Sequence, residues 1–356
     1  MLLFYHLVIR KCFLVVWVLG FIIFGLDDTI FGVDELGNRA PILIASQAVT
    51  MFFTLSGFLI TYLLLLEKEK TSSISVKKFY LRRILRIWPL YYFYIILVLV
   101  IYGVYHINFD NTQLPFYIFL AANIPLILHV SLPYLAHLWS IGVEEQFYLF
   151  WPWFVKFSTN NLLRNSIIFF LLFYIIKVIA WLIHYDILVT FLTVTRFNIM
   201  IIGAIGALLY YKKHNIIRKL TTKRVQLFAW SIIGLTIINK FHISSGFVDG
   251  EVMGFVIVFI ILSQIERKNY IIDLDNKLLN FIGKISFGIY VYHPIVIFLS
   301  KNYLCKFSNG GGLLSYIVVY SLIFTITITI SCVSYKYLEK PFIRMKDEYQ
   351  IVKNRA

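Results

Sequence analysis

Charge is what this sequence has least of. Asp, Glu, Lys and Arg make up 14% of its 356 residues, where a soluble domain carries about a quarter. A water-soluble globular class is therefore excluded. Acidic charge is the scarcer kind, with 18 Asp and Glu against 33 Lys and Arg. Cysteine is rare: Cys12, Cys305 and Cys332 stand apart with neither pairing nor metal-ligand spacing, so no disulfide framework, zinc site or other metal centre is expected. Internal repeats, low-complexity tracts and polar stretches of domain length are missing as well, so residues 1–356 read as one membrane domain. The first apolar run is followed by no small-residue cleavage site, and it is expected to remain as a helix.

What is present is apolar. Hydrophobic residues make up 60% of the chain and aromatics 18%. Runs long enough to cross a hydrocarbon core of about 30 Å recur along its whole length. Within lipid the backbone must satisfy itself, so the expected fold class is an all-α polytopic membrane protein. The net charge of +15 would suit a nucleic acid, but the basic residues sit in short loops between apolar runs. That pattern sets topology, and no nucleic-acid partner is expected.

About ten transmembrane helices are predicted, at 10–26, 43–66, 88–105, 140–157, 166–184, 193–211, 225–240, 251–265, 285–300 and 312–333. A further apolar piece, 115–130, is short and broken by Asn123 and Pro125. If it does not cross, 27 of the 33 Lys and Arg fall on one side, and the opposite loops keep Arg39, Lys240, Lys301 and Lys306. The positive-inside rule then makes both termini cytoplasmic and 115–130 an outer-face half-helix or re-entrant segment. Irregular backbone at that depth needs protein or a watery cavity around it. Lys177 and Arg196 remain within spans, and Lys177 has no evident reason to be there.

Four sets of residues carry possible chemistry. Arg82, Arg83 and Arg86 precede the span that begins at Trp88. Arg83 and Arg86 share a helical face and suit a phosphate clamp, with a topogenic basic loop as the alternative. The run His137-Leu138-Trp139-Ser140-Ile141-Gly142-Val143-Glu144-Glu145-Gln146-Phe147-Tyr148 places a histidine, a serine and two carboxylates at the expected outer mouth of a span. A histidine near a glutamate can deprotonate a hydroxyl. The alternative is an interfacial belt in which Trp139, Tyr148, Trp151 and Trp153 are anchors and the glutamates are wetted. Arg196, beside Asn198, lies where the positive-inside rule does not want it and calls for a partner carboxylate, a substrate or lipid headgroups. His293 sits mid-span before Pro294, either in a site or satisfied by a neighbouring helix. Ser56-Gly57 reads as close helix packing.

Taken together these segments resemble the acyltransferase 3 family of integral membrane acyltransferases. The matching pieces are Phe52–Thr61, Arg82–Pro89, His137–Tyr148, Arg196-Phe197-Asn198 with Gly203, Ile285–Pro294 and Glu339-Lys340-Pro341-Phe342, in the family's order over residues 50–342. The resemblance implies an O-acyltransferase with no bound cofactor, taking acyl-CoA, most simply acetyl-CoA, as donor substrate from the cytoplasm. The acceptor it implies is a hydroxyl on an outward-facing surface glycan or lipid-linked saccharide. Arg83 and Arg86 would meet the acyl-CoA, and Arg196 and His293 would bind acceptor or hold structure. The implied location is the cell membrane, most simply a bacterial inner or plasma membrane. The family also carries, on its first helix, an arginine followed eleven positions later by a histidine taken to be catalytic. Arg10 matches the arginine, but position 21 is Phe21. Another alignment makes His6 the histidine, with its arginine ahead of Met1. With Phe21 in that place, His137 is the expected base, oriented by Glu144. The rival reading is a catalytically inactive relative that binds or passes a lipid-linked glycan.

Overall fold

The computed structural model describes residues 43–349 apart from 159–160, 238–242, 244–246, 267–269 and 309–312. Arg10, His6, Phe21 and the expected span 10–26 lie outside the described residues. Every regular element among the described residues is helical. The longer helices are α1 (Leu43–Thr71), α2 (Val76–Val104), α3 (Trp139–Phe157), α4 (Leu162–Leu182), α5 (Asp186–Thr195) and α6 (Phe197–Tyr211). They continue with α7 (Lys223–Ile237), α8 (Asp249–Glu266), α9 (Lys277–Ser308), α10 (Leu313–Ser334) and α11 (Lys340–Glu348).

Six helical stretches among the described residues are long and apolar enough to cross a bilayer: Gln47–Thr71, Val76–Val104, Leu162–Leu182, Asp186–Tyr211, Lys277–Ser300 and Ser321–Lys346. The chain is thus a multi-pass helical membrane protein. Asp186–Tyr211 is broken at Arg196, whose left-handed backbone ends α5 and starts α6. On α4, Ile168, Leu172, Ile175 and Ile179 are exposed, as a lipid-facing surface would be.

The centre of the bundle is the α1–α6 pair, with α8 packed against both. Their contact depends on two glycines in reciprocal positions. A Cβ on Gly57 would lie 1.9 Å from the Met200 carbonyl oxygen, and one on Gly203 would lie 1.9 Å from that of Thr54. Only hydrogen fits at either place, which is how small residues let helix backbones touch in lipid. At the end of the bundle where α1 meets α2, Ser75 caps α2 by accepting from the Lys78 N–H at 3.5 Å. Lys68, Lys70, Lys77 and Lys78 cluster there, and we call it the basic end.

The broken segment after α2 does not cross. It turns back along α2 from the far end and forms two short helices, Leu114–Ile118 and Asn123–Ile127. The Tyr91 hydroxyl donates to the Tyr117 carbonyl at 2.8 Å, and that of Tyr92 to Ile118 at 2.9 Å. Further out, Tyr94 donates to the Tyr134 carbonyl at 2.8 Å, and Tyr102 donates to that of Pro133. Tyr91 lies about 20 Å along α2 from Val104, at 1.5 Å per residue, so the segment dips deep and returns. Its corners use left-handed residues at His106, Leu120, His129 and Tyr134. The tyrosine ladder supplies the donors that irregular backbone lacks in hydrocarbon.

As a result α3 begins inside the bundle. His137, just before it, packs edge-on against Tyr94 with ring centroids 5.5 Å apart, about 15 Å along α2 from its far end. The expected position of this motif at an outer mouth is thereby corrected: the re-entrant segment covers it. Gly142 and Gln146, inside the motif, hold that segment. A Cβ on Gly142 would meet the Leu120 carbonyl oxygen at 2.8 Å, and Gln146 exchanges amide hydrogen bonds with Asn123 at 2.7 and 3.3 Å.

Candidate active site

Helix α2 directs its three arginines to different acids. Arg82 pairs with Glu67 at 2.7 Å and also donates to the Tyr349 carbonyl at 3.2 Å. It is committed to tying α1, α2 and the end of α11 together. Arg83, one residue on, turns inward toward Glu144 and Glu145. Its guanidinium carbon lies 5.8 Å from the Tyr148 ring centroid and 5.7 Å from that of Phe79. Arg86, one turn further, faces Glu339 in the π-helical turn Tyr335–Glu339. Arg83 and Arg86 thus face different carboxylates, Glu144 and Glu145 for the one and Glu339 for the other.

A polar seam leads inward from these arginines. Glu144 and Glu145 sit on α3, and against the alternative of wetted carboxylates Glu144 is buried and Glu145 half-buried. The Tyr148 hydroxyl donates to Glu144 Oε1 at 3.0 Å and shares a short hydrogen bond with Ser56 Oγ. The Trp88 indole donates to Glu145 Oε2 at 3.3 Å. Two buried atoms in this group lack hydrogen-bond partners: Arg83 Nε and Glu145 Oε1.

The seam continues one turn outward on α3. Ser140 Oγ and the Tyr290 hydroxyl lie 2.6 Å apart, and Tyr290 also donates to the His137 carbonyl. His137 and His293 face each other with ring centroids 5.3 Å apart, and both are buried. His293 Nδ1 bonds to the Tyr290 carbonyl at 2.7 Å. His137 lies beside the Val291 backbone, with a well-formed hydrogen bond from neither ring nitrogen. The expected contact between His137 and Glu144 is not made: Ser140 and Tyr290 stand between them. The structure instead pairs His137 with His293, which the sequence had separated by more than 150 positions.

The belt reading fails for most of its anchors. Trp151 is fully buried and donates to Thr61 Oγ1 at 2.8 Å. Tyr148 belongs to the seam, and the Trp139 ring lies 5.6 Å below the Arg196 guanidinium. Trp153, 43% exposed, fits an interfacial anchor.

Away from the basic end, Arg196 has the carboxylate it called for. Glu251 Oε1 accepts from Lys177 Nζ at 2.8 Å and from Asn198 Nδ2 at 2.7 Å, and it faces Arg196. Arg196 also donates to Thr50 Oγ1 at 2.8 Å and to the Thr193 carbonyl at 3.2 Å. Lys177 is thus explained: it crosses the 4.4 Å to the Phe247 ring and binds that residue's carbonyl at 2.7 Å. Glu251 and Tyr290 are the residues that sequence reasoning missed. Glu251 left a signal, being an acid in an apolar run as unexplained as Lys177; Tyr290 left none. Among the described residues no group of His, Cys, Asp and Glu has a metal-holding arrangement.

This arrangement can bring a polyanion to Arg83 and Arg86, and it can move a proton at the His137–His293 pair. A family model described as an acyltransferase domain matches residues 9–336. The O-acetyltransferase OatA of Staphylococcus aureus strain NCTC 8325 / PS 47 is 27% identical over 326 residues, covering 84% of this chain and 52% of the relative. OatA of strains COL and MRSA252 matches equally. The chain spans about half the length of the curated relatives it matches. No solved structure matches it.

Proposed function

This chain belongs to the acyltransferase 3 family, whose model matches residues 9–336, and on that premise we propose that it is a membrane O-acetyltransferase. In this reading acetyl-CoA is met at the basic end, which faces the cytoplasm together with both chain termini. The acetyl group passes to a hydroxyl of a cell-surface glycan or lipid-linked saccharide on the other side. The membrane is a bacterial inner or plasma membrane, crossed about ten times.

The observation that carries the reading is the buried seam from Arg83 and Arg86 to His137 and His293. Ionisable side chains inside a membrane domain are expensive, and a connected set of them marks a site. Arg83, with Nε buried and unpartnered, keeps a donor for a phosphate or thioester oxygen. Arg86, facing Glu339, supplies a second positive charge beside it. The acceptor hydroxyl loses its proton at the histidine pair, its oxygen bonds to the acetyl carbon, and the thiolate of coenzyme A leaves. Arg196, held between Thr50 and Glu251 over Trp139, stands where the acceptor would enter.

Membranes carrying the chain, given radiolabelled acetyl-CoA, test this. Label is expected in the surface glycan. Arg83→Ala and Arg86→Ala are expected to raise the KM for acetyl-CoA at least about tenfold, the loss of one charge-assisted contact. Full transfer with an unchanged KM in both variants would remove the donor site from the arginines.

Phe21, eleven positions after Arg10, favours a second reading, a relative that binds acetyl-CoA or glycan and transfers nothing. Donor binding that needs Arg83, without label in any acceptor, would select it.

A further inference from the structure

We propose that Glu145 reads the pantetheine arm of the acyl donor, its Oε1 accepting from an amide N–H of that arm. The inference rests on the acetyl-transfer reading above. Only one side of the Glu145 carboxyl group is engaged by the protein. The Trp88 indole donates to Oε2 at 3.3 Å. Oε1 is buried and, among the described residues, has no hydrogen-bond partner. A buried acceptor without a donor is costly and rare, and here it marks a place for a donor from outside the chain.

Arg83 shows the complementary gap. Its Nε is buried with no acceptor among the described residues. Its guanidinium lies against the Phe79 and Tyr148 rings, at 5.7 and 5.8 Å, which stand edge-on to each other at 6.2 Å. Among the described residues it closes an ion pair with neither Glu144 nor Glu145, although it faces both. The site therefore offers an acceptor, a donor and an aromatic wall.

These features choose between the parts of a coenzyme A thioester. An ionised phosphate only accepts, so it has nothing to give Glu145 Oε1, and two nearby carboxyl groups disfavour it. An amide is neutral, with an N–H that donates and a carbonyl oxygen that accepts. The pantetheine arm carries two amides, the nearer one two carbons from the sulfur. Depth agrees with this choice. At 1.5 Å per residue, Arg83 lies about 10 Å along α2 from Val76, and Trp88 about 18 Å. Lys77 and Lys78, in the first turn, are exposed. The charged nucleotide stays with these lysines at the mouth, and the neutral arm runs inward past Arg83 to Glu145. Arg83 Nε donates to a carbonyl oxygen of that same thioester-bearing arm.

Donor analogues test this on the full chain in lipid nanodiscs, with acetyl transfer as the readout. In each analogue one amide N–H of the arm is replaced by an ester oxygen, which keeps the carbonyl and removes the donor. With wild type, one of the two analogues is expected to show a KM at least about tenfold above that of acetyl-CoA. That is the size of one hydrogen bond to a charged group. In Glu145→Leu the ratio is expected to fall to about one, because the KM for acetyl-CoA rises to that of the analogue. Glu145→Gln keeps a weaker acceptor and a partner for the indole, and its ratio is expected to fall between the two. A purely structural role would raise both KM values together and leave the ratio unaltered. An unaltered ratio in Glu145→Gln overturns the assignment even where Glu145→Leu does not fold. If wild type uses acetyl-CoA and both analogues equally well, the assignment is wrong while the acetyltransferase reading stands. If wild type transfers nothing from acetyl-CoA, the acetyltransferase reading fails, and the assignment fails with it.

Discussion

Lys177 shows how little a single residue reveals before its partner is found. In the sequence it is a lone charge in an apolar run; in the fold it is one of three groups around Glu251, with Asn198 and Arg196. Lys177→Met leaves a buried carboxylate short of its closest cation. Breaking one side of a buried pair costs roughly 3–5 kcal/mol, so a clear drop in the thermal midpoint of the detergent-solubilised protein is expected. Adding Glu251→Leu is expected to restore only part of that loss, because Asn198 then loses its acceptor and Arg196 the carboxylate it faces. Full recovery would mean that Glu251 serves Lys177 alone. At this scale the sequence revealed which residues are costly, and it left open which of them meet. Arg82, Arg83 and Arg86 look alike in the chain, yet a rotation of about 100° per residue along α2 sends them to separate acids.

At the scale of elements, the α1–α6 contact is a packing claim with a built-in control. Gly57→Ala or Gly203→Ala places a methyl group against a backbone carbonyl 1.9 Å away. Backbone cannot step aside like a side chain, so the helices must separate, and either variant is expected to lose most folded protein. A Cβ on Gly234, in α7, meets nothing within 4 Å. Gly234→Ala is expected to be neutral or stabilising by about 0.5–1 kcal/mol, the gain in helix propensity. Size-exclusion profiles of the three variants check this, and equal yields would refute the close contact. The Ser56-Gly57 pair was legible as a packing signal. So was the break at Asn123 and Pro125, because a run too short to cross and interrupted by a proline has few alternatives. The depth of α3 was not legible. It depends on tyrosine hydroxyls of α2 capping carbonyls of the segment that dips beside it, and side-chain composition alone does not encode that pairing.

For the whole molecule, length, apolar runs and basic loops were enough to read a multi-pass helical bundle. The order of weak motifs was enough to read the family. The site was legible as a set of residues and not as an arrangement. An outward acidic mouth separate from an inward basic patch is replaced by one seam, in which Arg83 meets Glu144 and His137 meets His293. The central claim is that this seam carries an acetyl group from one face of the membrane to the other, and vesicles of known orientation test it most directly. With labelled acetyl-CoA supplied at the basic face and the glycan acceptor enclosed at the other, the account predicts label in the acceptor. It predicts none when the donor is supplied only at the acceptor face, and none in Arg83→Ala at low donor concentration. Equal labelling from either face, or labelling indifferent to Arg83, would contradict it.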